Sequence, residues 1–236
     1  MIQQSLFGTV IESVDTDEAV GSRATGGDTP LSEAVFTVID LETTGLSAKK
    51  NAITEITGIQ FRNGEEIGKY TTLVKPTEAI PSEVEGLTGI TNDMVQQAPA
   101  LVIALSELCR FTGSNPIIVG HNAPFDIGFL REKLGAAGLS AFVERFDYHK
   151  SFCTRVLAVK AFPGLRSYEG VVVATHCGVY NPNPHRAESD VRMSAGILFK
   201  IIAALKSRNP DLRNVQDLLD YQGVLEPRGE GKGKTA

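Results

Sequence analysis

The sequence predicts an α/β fold on a mixed five-stranded sheet, three antiparallel strands followed by two parallel ones, flanked by helices. Three observations carry this. "AITEITGIQFR" and "EIGKYTTLVKP" alternate apolar and polar residues and meet at Asn63-Gly64, a strong hairpin signal. "AVFTVID" is a short β-branched apolar run ended by a polar turn, the pattern of a buried strand. "PIIVGHN" is a second such run, and it leads into a helical pattern rather than a hairpin.

Taken in order, residues 1–33 read as a flexible acidic leader, rich in Gly, Ser and Thr, with a short strand at Val10–Val14 as the competing reading. Residues 34–206 form the packed domain. Its first three strands lie in the segments quoted above, and the fourth is "PIIVGHN". A helix over Pro124–Gly138 follows, with Phe125, Phe129, Leu130 and Leu134 as its apolar stripe. A fifth strand is expected near Phe146–His149, then a helix over Cys153–Phe162 and a long one over Ala187–Leu205. Residues 207–236 read as a short helix, "NVQDLLDYQ", and a disordered tail.

At 236 residues the chain accommodates one well-buried domain with extensions. No apolar run approaches a membrane span and no secretory layout opens the chain, so a cytoplasmic protein is expected. Cys109, Cys153 and Cys177 are widely spaced, without a C-x-x-C pair, and read as reduced thiols. The formal net charge of −5 argues at first against a nucleic-acid partner. Yet segment 11–33 holds Glu12, Asp15, Asp17, Glu18, Asp28 and Glu33 against Arg23 alone, so the rest of the chain is close to neutral.

Asp40 and Glu42 end the first strand of the domain, in "VIDLETTGL", and residues two apart on a strand share a face. Spacing alone is weak evidence, since 28 acidic residues in 236 give about three such pairs by chance. The turn Thr43-Thr44-Gly45 that follows exposes the pair. Asp126 opens the helix after "GHNAPFD", and Asp190 lies in the first turns of the last helix. His185 precedes Asp190 by five residues. That spacing would put the two about 140° apart on a continuous helix, so the imidazole belongs to the irregular loop kept open by Pro182 and Pro184. Carboxylates that converge without cations beside them repel one another unless hard divalent cations neutralise them, and oxygen ligands favour Mg²⁺ or Mn²⁺. Two such ions can clamp the attacking and leaving oxygens of a phosphoryl displacement, with an imidazole as the natural general base at neutral pH.

Together these segments resemble the DEDDh family of 3′-to-5′ exonucleases, which contains the proofreading subunit of bacterial DNA polymerase III. "FTVIDLETTGL", "IVGHNAPFDIGFL" and "HRAESD" are similar to its three motifs, and "LTGITNDMV" and "TRVLAVKAFPGLRSY" to its connecting segments, over about residues 35–205. The resemblance implies a ribonuclease H-like fold and a two-metal phosphodiesterase. Asp40, Glu42, Asp126 and Asp190 would be the metal ligands and His185 the base. Thr43, Thr44, Gly45 and Leu46 would receive the terminal nucleotide, with Leu46 as a wedge against its base. His121, Asn122 and Phe125 fall in the second motif, where His121 and Asn122 also read as a loop clamp and Phe125 as core. One segment departs: "EGVVVATHCGV" has strand-like propensity where the family has a helix. The helix is nevertheless retained, because tertiary context overrides propensity.

Gln3, Gln4, Ser5, Leu6 and Phe7 make an apolar pair with no amphipathic pattern to bury it. They read either as packing on the domain or as a peptide hook. "QQSLF" resembles the short peptide with which bacterial replication and repair proteins bind the sliding clamp. Leu6 and Phe7 would be its anchors, and some 26 flexible residues would span roughly 28 Å. The expected substrate is a single-stranded or frayed DNA 3′ end in proofreading or repair, with the clamp and a DNA polymerase as partners. The alternatives are an exoribonuclease of the same family and a clamp-associated interaction protein.

Overall fold

A computed structural model of the chain describes residues 2–4, 10–13 and 26–227. Two short strands, β1 (Ile2–Gln4) and β2 (Val10–Ser13), precede the long strands β3 (Val35–Thr43), β4 (Ile53–Arg62) and β5 (Glu65–Leu73). Then come helices α1 (Ser82–Thr88), α2 (Asn92–Val95) and α3 (Leu101–Thr112), strand β6 (Ile117–Gly120), helix α4 (Pro124–Ala136) and strand β7 (Phe152–Cys153). Helices α5 (Thr154–Ala161), α6 (Gly170–Cys177), α7 (Ala187–Arg208) and α8 (Val215–Gln222) complete the order. All the described strands join one sheet, β1-β2-β5-β4-β3-β6-β7. Its centre is the expected set: β5, β4 and β3 antiparallel, then β6 and β7 parallel to β3.

The hairpin forms as the sequence dictates. Asn63 and Gly64 have φ of 50° and 87°, the left-handed pair of a type I′ turn, whose twist matches that of the strands it joins. Period-two alternation then divides the core. Phe36 and Val38 of β3 and Ile117 and Val119 of β6 face α5, α6 and α7, whereas Ile39, Leu41 and Ile118 face α3 and α4. Each large apolar side chain withdrawn from water in this way contributes about 1.5–3 kcal/mol. Along β3 the face that carries Phe36 and Val38 carries Asp40 and Glu42 next, so core gives way to carboxylates at the strand's end without a change of side.

Two expectations need correction. The leader is not flexible throughout: β2 pairs with β5 and β1 with β2, and Leu31 is buried. The exposed edge of β5 offers an unpaired backbone ladder, which these residues extend. The fifth strand lies at Phe152–Cys153 rather than Phe146–His149. Asp147 accepts the His149 N–H at 2.9 Å and caps a 3₁₀ turn at Tyr148–Lys150, a local bond that competes with a ladder. The short helix expected at "NVQDLLDYQ" forms as α8 and is docked, with Val215, Leu218 and Leu225 buried and Gln222 bonded to Cys153 N and Ser151 O, while residues 228–236 lie outside the described residues. Helices α1 to α3 had no counterpart in the sequence reading.

The strand-like segment is helix α6. Val173 and Ala174 bury against α7, and Gly178, at φ 67°, closes the helix in the left-handed conformation. A Cβ on Gly196 of α7 would meet Val179 at 3.0 Å, so this glycine permits the close approach that outweighs valine's propensity. Cys109, Cys153 and Cys177 are free thiols. No helix among the described residues is long and apolar enough to cross a membrane.

Candidate active site

Three elements bring the predicted carboxylates to one cleft of about 820 Å³. The end of β3 supplies Asp40 and Glu42, the first turn of α4 supplies Asp126, and α7 supplies Asp190. Carboxylate oxygens of Asp40, Glu42 and Asp190 all lie within 4.8 Å of one another. Asp126 is 3% exposed and lines the same cleft. Of the charged residues lining it, Asp40, Glu42, Asp126, Glu169 and Asp190 are acidic and Arg155 alone is basic, apart from the histidines. A hard divalent cation fits this all-oxygen donor set, which has no thiol and no imidazole in the close triad.

His185 lies on the loop ahead of α7, as its spacing requires, and its exposed side chain lines the cleft. Its φ of 64° is left-handed, which a side chain with a Cβ adopts at a cost. The loop is held by Asp190, whose Oδ2 accepts the His185 N–H at 2.9 Å and whose Oδ1 accepts from Asn181 Nδ2 at 2.6 Å. Asn122, at φ 71°, is also left-handed and also lines the cleft. Besides the hairpin residue Asn63, these are the two described non-glycine residues with positive φ, and such outliers gather at sites whose surroundings over-determine them.

His121 serves as a clamp. Its Nε2 donates to the Tyr168 carbonyl at 3.2 Å, which leaves Nδ1 to accept from the Thr154 hydroxyl at 2.8 Å. Burial pushes the imidazole down to about 4, against the raising effect of the Tyr168 bond, so it is neutral near pH 7. Phe125 borders the cleft yet is 9% exposed and packs on Phe129 with ring centroids 4.9 Å apart, a core role first.

Thr43, Thr44, Gly45 and Leu46 do not line the cleft. Thr44 is buried; its hydroxyl donates to Glu78 at 2.5 Å and accepts from Ala52 N at 2.9 Å. Thr43 donates to Gly45 O at 2.6 Å, and a Cβ on Gly45 would meet Asn51 at 2.7 Å. These three build the loop, from which Leu46 projects half exposed. The backbone of Gln3 is paired in β1, while Ser5, Leu6 and Phe7 lie outside the described residues.

Sequence reasoning missed several residues. Glu55 of β4, opposite Glu42, is 4% exposed and bonds Arg186 and Ala187 N. Its signal is a charge on the apolar period of a buried strand. Asn181, bonded to Asp190, is one polar loop residue among several and carries no pattern. Leu87, Val171 and Tyr180 are exposed apolar residues lining the cleft, which only the folded chain brings together.

A model of the exonuclease family matches residues 37–198, a span that contains all four carboxylates and His185. The chain belongs to this family. Among curated relatives of this exonuclease, the DNA polymerase III subunit epsilon of Aquifex aeolicus is 35% identical over 179 residues, covering 74% of this chain and 84% of that protein. The PolC-type DNA polymerase III of Oceanobacillus iheyensis is 31% identical over 222 residues. That match takes in 92% of this chain but spans only 15% of the polymerase. Among solved structures, exonuclease X in complex with 5′ overhanging duplex DNA matches with a TM-score of 0.61 and 25% identity, over 80% of this chain and 99% of that one. E. coli exonuclease I bound to a dT13 oligonucleotide, 18% identical, shares the fold with a TM-score of 0.64 over 80% of this chain and 46% of its own. The strand order and these neighbours make the fold the ribonuclease H-like exonuclease fold.

Proposed function

We propose that the chain is a metal-dependent 3′-to-5′ exonuclease acting on single-stranded or frayed DNA 3′ ends in proofreading or repair. The observation that carries this reading is the convergence of Asp40, Glu42 and Asp190 within 4.8 Å, in a cleft shared with Asp126 and His185. Asp40, Glu42, Asp126 and Asp190 would hold two divalent ions, Mg²⁺ or Mn²⁺, whose charge would offset that of the phosphate and of the departing oxygen. His185 takes the proton of the attacking water at a ring nitrogen. The water oxygen bonds to phosphorus, the bond to the 3′-oxygen of the preceding nucleotide breaks, and a nucleoside 5′-monophosphate leaves. Asn122, which lines the cleft, positions the backbone.

The test is a time course on matched 5′-labelled DNA and RNA oligonucleotides with Mg²⁺, Mn²⁺ or chelator, wild type beside Asp40→Ala. A metal-dependent ladder shortening from the DNA 3′ end, absent in the variant, is expected. Faster RNA cleavage would move the protein to RNA processing, and no cleavage of either would leave an interaction protein.

Gln3, Ser5, Leu6 and Phe7 favour a tether to the sliding clamp, in line with the likeness to DNA polymerase III proteins. Leu6 and Phe7 fill an apolar pocket, and docking releases β1 from β2. Calorimetry with the clamp should give binding that Leu6→Ala with Phe7→Ala removes; unchanged binding sinks the tether.

A further inference from the structure

One buried carboxylate beside the cluster lies outside the set proposed to bind metal. Glu55 stands opposite Glu42 in the β3–β4 ladder, and two like charges so placed repel. Taking a carboxylate to 4% exposure is also unfavourable unless it is paired and hydrogen-bonded, so Glu55 is a poor device for stability alone. Its partners account for it. Oε1 accepts from Arg186 Nη2 at 2.9 Å, while Oε2 accepts from Ala187 N at 3.1 Å and, at the longer distance of 3.4 Å, from Arg186 Nε. Arg186 is the residue next to His185.

The bond to Ala187 N has a second meaning. Arg186 is the N-cap of α7, and its side chain makes no cap bond. Glu55 supplies the missing acceptor from across the fold, where a negative charge also suits the helix dipole. His185 is therefore held on both sides: its own N–H on Asp190, and the following residue on Glu55. The left-handed backbone at His185 requires such a double hold, because a freed histidine relaxes to ordinary φ and carries its imidazole away.

We infer that Glu55, through Arg186, is a positioning residue that fixes the backbone of His185 at the cleft. This rests on the proposed exonuclease function. Glu55→Gln keeps the shape and one acceptor but removes the charge. On a single-stranded DNA substrate it should lower kcat about 10- to 100-fold with KM unchanged, the fold-change for losing a hydrogen bond to a charged group. Arg186→Lys, which keeps the charge but not the forked geometry, should do the same and serves if Glu55→Gln does not fold. In a His185→Ala background Glu55→Gln should cost nothing further.

A readout independent of turnover is the imidazole NMR spectrum, simple because the chain has four histidines. The His185 signal should move in Glu55→Gln, with those of His149 and His176 fixed. Wild-type kcat together with an unmoved His185 signal, or an equal loss in the His185→Ala background, would overturn the inference. A wild-type chain that cleaves no nucleic acid would instead defeat the proposed function, leaving the imidazole signal to decide the positioning.

Discussion

Asp190 accepts the backbone N–H of His185 at 2.9 Å through one oxygen and the Asn181 amide at 2.6 Å through the other. One carboxylate thus belongs to the acidic cluster and also folds the loop that carries the histidine. Asn181 in turn accepts from Ser189 Oγ and Asn183 N, so it ties the loop to the first turn of α7. Asn181→Ala should lower kcat about 10- to 100-fold, the scale of a lost hydrogen bond to a charged group, while the chain stays folded. Steady-state kinetics beside a thermal melt checks this; unchanged kcat would show that Asp190 and His185 hold the loop unaided.

His121 makes stability depend on pH. Its folded-state pKa of about 4 lies below the ordinary 6.5, so the unfolded chain binds the proton more readily. Its contribution is complete above about pH 6.5 and is lost as pH falls toward 4. By pH 5 the loss is about 2 kcal/mol from this group alone. Urea unfolding of wild type and His121→Gln at pH 7.5 and 5 should show a shallower fall for the variant. Parallel falls would mean that the imidazole is protonated where it sits.

Residues acting through local pattern were legible in the sequence, and residues acting through tertiary contact were not. Asn63-Gly64 fixed the hairpin, period two put Asp40 and Glu42 on one face, and the prolines kept His185 off the helix. The strand at Phe152–Cys153 was misplaced because two residues give no periodicity and Asp147 caps a turn just before it. Helix α6 ran against the propensity of three successive valines, and only its packing on α7 explains it. Glu55 and Asn181 owe their roles to Arg186 and Asp190, 131 and 9 residues away in the chain.

Divalent ions that bind the folded cluster and not the unfolded chain must raise its stability. At 100 times the dissociation constant the gain for one site is about 2.7 kcal/mol, or roughly 5–10 °C in Tm for a chain of this size. Melting curves with Mn²⁺, Mg²⁺ or chelator should show this rise for wild type. Asp40→Asn, which removes one charge from the triad at nearly constant volume, should lose most of it. An equal rise in the variant would place the ions elsewhere.

Leu87, Val171 and Tyr180 line the cleft with 54%, 65% and 84% of their surface exposed. These three large side chains offer an apolar surface beside the acidic centre, and an unpaired nucleobase has an apolar face that would fit it. Apart from the ions proposed at the cluster, Arg155 is the one basic residue besides the histidines among the described residues that line the cleft, so stacking would add to the hold on the substrate. Base–aromatic stacking is worth about 1–3 kcal/mol per base. Tyr180→Ala should therefore raise KM for single-stranded DNA about 5- to 100-fold with kcat unchanged, while Tyr180→Phe, which keeps the ring, should behave as wild type. On a fully paired blunt end, where the bases are already stacked within the duplex, Tyr180→Ala should cost less. Kinetics on the two substrates separate the readings: an equal loss on both would assign Tyr180 to the sugar-phosphate backbone rather than to the base.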